Sequence, residues 1–251
     1  MIACCSFRTR LFLAAGLTAV LGLGFQAARK PAEPADPVIA GFRKTTVASV
    51  ADAMDQVVGK RGFMSHDMRP RVEGKVVGRA LTALMREATA DKATPPLSAK
   101  HSVAMIDAAK PGEVGVLVIE NGLDVAGLGG LMGTAAKARQ MAGIVIDGGV
   151  RDVPEVRALG LPVYARSVVP SSSVGRYATV ANGIPVTCAG VEVKPGDVIV
   201  AGEDGVVAVP SERAAEVLKR AQEIDERESK MVPLIRQFRT LTKAIETFNR
   251  I

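Results

Sequence analysis

Between Gly129 and Asp152 the chain reads GGLMGTAAKARQMAGIVIDGGVRD, and this stretch holds the residues best suited to chemistry. Gly129 and Gly130 open it where backbone must come close to another group. Residues 134–139 (TAAKAR) form a strong helix, rich in Ala and straight side chains. Residues 143–146 (GIVI) form a short apolar run of the kind a buried strand shows. Asp147-Gly148-Gly149 then turns the chain, and Arg151 and Asp152 follow. A loop that feeds a helix N-terminus offers unpaired N–H groups to an anion. A strand end with Arg beside Asp offers a cation for a carboxylate and a hard oxygen ligand for a metal. Either half alone is weak, an ordinary glycine turn and a surface ion pair. On the two ends of one helix–strand unit they predict a site for a small anion beside a divalent cation.

The flanking elements must hold that unit. Residues 45–58 carry Val47, Val50, Ala51, Met54, Val57 and Val58 at helical spacing, which predicts a surface helix capped by Thr. Residues 71–85 read as one strand, 91–98 as a polar loop, 103–109 as a short helix and 115–120 as a buried strand. The phrase Lys110-Pro111-Gly112-Glu113-Val114 returns as Lys194-Pro195-Gly196-Asp197-Val198, a Pro-Gly turn that delivers an apolar strand twice. Residues 153–159 predict a short helix with Pro154 in its first turn. Residues 161–165, 184–189, 198–201 and 205–209 predict strands. From Ser211 the chain turns charged and helical, with Val217, Leu218, Ala221 and Ile224 on one stripe. Pro233 is expected to kink or break that helix. This tail has the character of an arm that packs on a neighbouring subunit.

With 251 residues, 48% of them hydrophobic and 4% aromatic, the chain can bury a core of Val, Ala, Leu and Ile. Its net charge of +6 is spread along the chain, so no nucleic-acid-binding patch is read. Arg8 and Arg10 precede an apolar run at 11–25, too short for a comfortable membrane span. Residues 1–28 are therefore expected to be a signal peptide, or an N-terminal membrane anchor if uncleaved. Export, to the periplasm of a Gram-negative source, is the expectation, and cytoplasmic residence if the segment is no functional signal. Residues 29–40 read as a Pro- and Ala-rich linker, 41–210 as the folded domain and 211–251 as the helical arm.

Several chemistries find no support. Removal of residues 1–28 leaves Cys188 alone, in an apolar stretch that suits a small buried residue. His66 and His101 have no nucleophile elbow, and His66 beside Asp67 lacks a second ligand nearby. There is no CxxC pair, GxGxxG fingerprint or P-loop.

The segment from Gly129 to Arg166, supported by PVTCAGVEVKPGDVIVAGEDGVVAVP at 185–210, resembles the RraA-like superfamily. That group includes 4-hydroxy-4-methyl-2-oxoglutarate aldolases and the regulator of ribonuclease activity A, and the similarity runs from about Val38 to about Lys230. The resemblance implies an α/β chain with a β/β/α swivelling-domain fold, here followed by a C-terminal helical arm. It implies a homotrimer or hexamer with sites at subunit interfaces, and a small 2-oxo acid as substrate. It also implies Mg²⁺ or Mn²⁺ dependence, with aldol cleavage or oxaloacetate decarboxylation giving pyruvate. By the same resemblance Gly129, Gly130, Leu131 and Met132 present N–H groups to the pyruvate carboxylate. Arg151 binds the substrate oxygens and stabilises the enolate. Asp152 ligates the metal, joined by Glu228 from a neighbouring subunit. The aldolases carry Asp or Glu where this chain has Gly130. That departure keeps open a non-catalytic binding or regulatory protein on the same scaffold.

Overall fold

In the computed structural model, residues 36–248 are described; the expected signal or anchor segment and most of the linker lie outside them. The folded body starts inside the expected linker. Helix α1 (Pro37–Phe42) has Pro37 at its start and Asp36 as N-cap, whose Oδ1 accepts from Val38 N at 2.9 Å. Helix α2 (Val47–Val57) follows, capped by Thr46 as its sequence predicts. The expected single strand at 71–85 is two, β1 (Arg69–Val72) and β2 (Val76–Glu87). Gly74 separates them at φ +140°, a conformation other residues rarely adopt. Helix α3 (Pro95–Ala108) is longer than its apolar pattern implies, because the prolines of the expected loop sit at its N-terminus, where no N–H is needed.

Next come β3 (Val114–Ile119), β4 (Ala126–Leu128), α4 (Gly130–Ala138), β5 (Gly143–Val150), α5 (Val153–Ala158) and β6 (Val163–Val168). Strand β5 runs through Asp147-Gly148-Gly149, where a turn was expected. Gly148 at φ 151° absorbs a register shift between Ile146 and Gly149, so the glycines bend the strand without ending it. Strand β7 (Tyr177–Asn182) has no counterpart in the sequence reading, and it is followed by β8 (Val186–Cys188), β9 (Val191–Val193), β10 (Val198–Gly202) and β11 (Gly205–Val209). Helices α6 (Ala214–Phe238) and α7 (Leu241–Phe248) complete the described chain.

Among the described residues nine strands form one mixed sheet in the order β1-β6-β5-β3-β2-β10-β11, with β4 beside β5 and β7 beside β2. Strands β2, β3, β5 and β6 run parallel, while β1, β7, β10 and β11 join antiparallel. The edge strands β1 and β11 meet, which makes the sheet nearly closed. Its central strands are apolar on both faces. Val114, Val116, Val118 and Val145 point into one core, and Leu117, Ile119, Ile144 and Ile146 into another beneath α3, α4 and α5. Each such buried aliphatic side chain contributes roughly 1.5–3 kcal/mol.

The two Pro-Gly turns are built alike. Lys110 N donates to Glu113 Oε2 and Lys194 N to Asp197 Oδ2, each at 2.7 Å, with Gly112 at φ 84° and Gly196 at φ 89°. They deliver β3 and β10 to β2. The apolar stripe at the start of the arm is covered within the chain. Val217, Ala221 and Ile224 are buried with α1 and α2, and Asp225 accepts from Ser49 Oγ at 2.7 Å. Nor does Pro233 break the helix. Its missing N–H falls at an exposed position, where water can solvate the freed carbonyl, and α6 ends instead at Arg239, at φ 52°. Among the described residues no helix is long and apolar enough to cross a membrane.

Candidate active site

Parallel pairing of β4 with β5 puts both strand ends at one place. Arg151 N donates to Leu128 O at 3.0 Å, so the chain leaving β5 passes directly beside the turn leaving β4. That turn is Gly129, the N-cap of α4, which has no side chain to cap with. Asp152 takes over the task from across the gap, its Oδ2 accepting from Gly130 N at 2.9 Å. Asp152 is itself the N-cap of α5 yet makes no side-chain cap there. It holds a left-handed backbone, φ 52° and ψ 38°, which is strained for a residue with a Cβ though least so for Asp and Asn. The chain thus strains its backbone to aim this carboxylate at the mouth of α4.

Gly129 is needed for that close approach and not for its φ, which is extended. A Cβ there would lie 2.6 Å from Asp152 Oδ2 and 2.9 Å from Arg151 Nε. Gly130 differs. A Cβ there would meet only Asp152 and the Cβ of Glu155, all at 3.7 Å, so a side chain fits. The Gly130 N–H, expected to face a substrate carboxylate, is occupied by Asp152. The donors left in the first turn are those of Leu131 and Met132. Leu131 projects its side chain outward and is 90% exposed.

Arg151 Nε approaches Asp152 Oδ2 at a loose 3.6 Å, and among the described residues the guanidinium has no hydrogen-bond partner. Both side chains are partly solvated, 41% and 43% exposed. They border a cleft of about 190 Å³ lined by the Gly129–Met132 turn, by Ser98, Ala99 and Ser102 of α3, and by Ser172, Ser173 and Val174. All five residues expected to bind substrate or act in catalysis besides Asp152 therefore line one cleft with it. Glu228 does not. It stands exposed on α6, in a separate groove with Asp52, Ile224 and Met231.

Two features escaped the sequence reading. Glu155 lies in the first turn of α5, three residues after Asp152, and its Cβ stands as close to Gly130 as that of Asp152, each 3.7 Å from a Cβ built there. The serine wall comes from segments distant in sequence and had no local signal. Cys188 is fully buried, and burial pushes its thiol pKa well up, as befits a packing residue.

A divalent cation is the group these residues could hold. Among the described residues no cluster of three or more His, Cys, Asp or Glu is poised for a metal. One or two carboxylates next to solvent is nonetheless the donor set of Mg²⁺, which keeps waters and substrate oxygens as its remaining ligands. Asp152, with Glu155 beside it, fits that habit.

The family model described as Aldolase/RraA (RraA-like) matches residues 47–208. The chain belongs to the RraA-like family. A Halalkalibacterium halodurans protein named "Putative 4-hydroxy-4-methyl-2-oxoglutarate aldolase" is 29% identical over 189 residues, covering 73% of this chain and 81% of its own. The uncharacterized protein MJ0644 of Methanocaldococcus jannaschii is 38% identical over 118 residues, 47% of this chain, and the match spans only 56% of that relative's length. The crystal structure of Streptomyces coelicolor RraAS2, described as an unusual member of the RNase ES inhibitor RraA protein family, superposes with a TM-score of 0.69. It is 27% identical, covering 78% of this chain and 96% of that one. The mixed α/β fold with its nearly closed sheet is thus that of RraA-like proteins.

Proposed function

We propose that this chain is a divalent-metal-dependent 2-oxo acid lyase that forms pyruvate by aldol cleavage or by decarboxylation of oxaloacetate. The observation that carries the reading is the Arg151 guanidinium, only loosely paired at 3.6 Å and without a hydrogen bond among the described residues, beside an Asp152 carboxylate held by a strained backbone. Arg151 would bind the carboxylate and 2-oxo oxygens and stabilise negative charge as it develops on the 2-oxo oxygen. In such a partly desolvated cleft a fixed cation is worth far more than in water. The N–H groups of Leu131 and Met132 would orient the carboxylate end. Asp152, with Glu155, would hold Mg²⁺ or Mn²⁺, which supplies Lewis-acid polarisation of the 2-oxo group. Gly130 leaves room for water where the aldolases carry a carboxylate.

Assembly as a trimer or hexamer would cover Leu131 and could bring Glu228 of a neighbouring subunit toward the cleft. Export through residues 1–28 belongs to the same reading. Substitution Asp152→Ala is expected to abolish metal-dependent pyruvate release while circular dichroism still shows the folded chain, with melting lowered only by the loss of one helix cap, about 1 kcal/mol. Equal turnover in that variant would reject the role. The missing carboxylate at Gly130, with the likeness to RraAS2, favours one other reading: a non-catalytic binding protein. Its mark would be a stoichiometric protein partner recovered from the native host together with no pyruvate release.

A further inference from the structure

The cleft carries a buried polar group that the lyase reading leaves unused. Ser98 and Ser102 lie four residues apart on α3, on one helix face, and both line the cleft. They are 2% and 1% exposed. Ser98 Oγ donates to Ala93 O at 2.9 Å. Ser102 Oγ has no partner among the described residues. A helical serine ordinarily bonds back to the carbonyl four residues before it. A buried hydroxyl without a partner is costly, so native structures seldom keep one that nothing uses.

The rest of the cleft defines what could use it. The cleft that Ser102 lines is lined also by Ala99, Ala126, Leu128 and Val174, and by Ser172 and Ser173. Arg151 is the one cation among the described residues lining the cleft. On the lyase reading it is committed to the 2-oxo acid end. A second carboxylate on the substrate would therefore meet neutral hydroxyls and hydrocarbon with no counter-charge, which is unfavourable. A hydroxyl both donates and accepts, as Ser102 does, and would pair with it at no such cost.

We infer that Ser102 is a specificity-determining residue that binds a neutral hydroxyl on the tail of the substrate. The preferred class is then a 4-hydroxy-2-oxo monocarboxylate with a hydroxylated tail and not a dicarboxylate. The inference rests on the lyase reading. In the cleavage the C3–C4 bond breaks and its electron pair moves to form the enolate of pyruvate. The C4 hydroxyl loses its proton to become an aldehyde carbonyl, and C3 of the enolate takes up a proton.

The test is steady-state cleavage by the full chain with Mg²⁺, using three substrates. They are 4,5-dihydroxy-2-oxopentanoate, 4-hydroxy-2-oxopentanoate, which lacks the tail hydroxyl, and the dicarboxylate 4-hydroxy-4-methyl-2-oxoglutarate. The dihydroxy acid is expected to exceed both others in kcat/KM by about tenfold, the worth of one hydrogen bond to a neutral group. Ser102→Ala should erase its advantage over the monohydroxy acid without lowering the melting temperature, and Ser102→Thr should retain it. The wild-type ratio tests the class even if a variant fails to fold. A higher kcat/KM for the dicarboxylate, or an unchanged ratio in Ser102→Ala, would overturn the inference and leave the lyase standing. No pyruvate from any of the three would overturn both.

Discussion

Strand β5 carries one aspartate and a second follows two residues past its end, each near an arginine, and they are held in opposite ways. Within the strand, both carboxylate oxygens of Asp147 are engaged. Its Oδ1 accepts from Arg166 at 2.9 Å and its Oδ2 from Ala189 N at 2.6 Å, while Arg166 Nε also bonds Asp67 at 2.8 Å. Burial alone would depress the Arg166 pKa, but the bonds to Asp147 and Asp67 outweigh it and push it up. At the strand end, Arg151 and Asp152 stay 3.6 Å apart, half in water, on a left-handed backbone. The first pair ties β5, β6 and the loop before β1 together, with both partners committed to hydrogen bonds within the fold. The second, as an ion pair, contributes little to stability, while its Asp152 caps α4 and its guanidinium makes no hydrogen bond among the described residues. Charge of the same composition thus serves structure when its lone pairs are filled and chemistry when they are not.

Removing each arginine in turn should separate the two roles most sharply. Arg151→Ala is expected to cut pyruvate release by about 10²–10³-fold, the effect of losing a fixed charge at a developing oxyanion, with thermal melting unchanged. Arg166→Ala should do the reverse. It strands two partly buried carboxylates and is expected to lower stability by about 2 kcal/mol in urea titration, less than a fully buried pair because water screens part of it. Arg166→Ala losing activity at full stability would erase the distinction.

The neighbouring glycines sharpen it further. Gly129→Ala would drive a methyl into Asp152 Oδ2 and Arg151 Nε, misplacing the pair, and should lower turnover by about tenfold or more. Gly130→Ala meets nothing closer than 3.7 Å and should leave turnover and melting within error of the wild type. Equal losses in the two variants would show that the close approach is not what Gly129 provides.

The smallest effect is expected far from the cleft. Tyr164 on β6 has its pKa pushed up to about 12, first by burial and then by Glu203 and Glu73, and its Oη donates to Gly74 O at 2.9 Å. The unfolded chain therefore loses this proton near its ordinary pKa of 10.0 while the folded chain keeps it. Stability is complete below that pH and falls as pH rises toward 12. Tyr164→Phe should flatten that alkaline decline and cost about 1 kcal/mol at neutral pH, for the lost hydrogen bond. Denaturation midpoints across the alkaline range check both.

The site's ends were readable because their signals are local. Gly129 before a helix and Arg151-Asp152 after an apolar run are each contiguous, and the parallel pairing of β4 with β5 brings them together. The repeated Lys-Pro-Gly turns were readable for the same reason, since Gly112 and Gly196 alone permit the positive φ. What stayed hidden depends on packing. Asp147-Gly148-Gly149 has turn composition, but pairing with β3 and β6 holds Asp147 and Gly149 in the sheet. The stripe on α6 has the pattern of an interface, but sequence cannot say that α1 and α2 of the same chain cover it. Ser102 and Ser172 are 70 positions apart and share a wall only once α3 packs on the sheet.

The most direct test of the central claim is pyruvate release from oxaloacetate, from 4-hydroxy-4-methyl-2-oxoglutarate and from 4,5-dihydroxy-2-oxopentanoate by the full chain, with Mg²⁺ and then with excess chelator. Release above that caused by the free ion, and abolished by the chelator, is the predicted result. Folded protein that releases no pyruvate from any of the three substrates with Mg²⁺ present, or that releases it undiminished under chelation, would contradict the account.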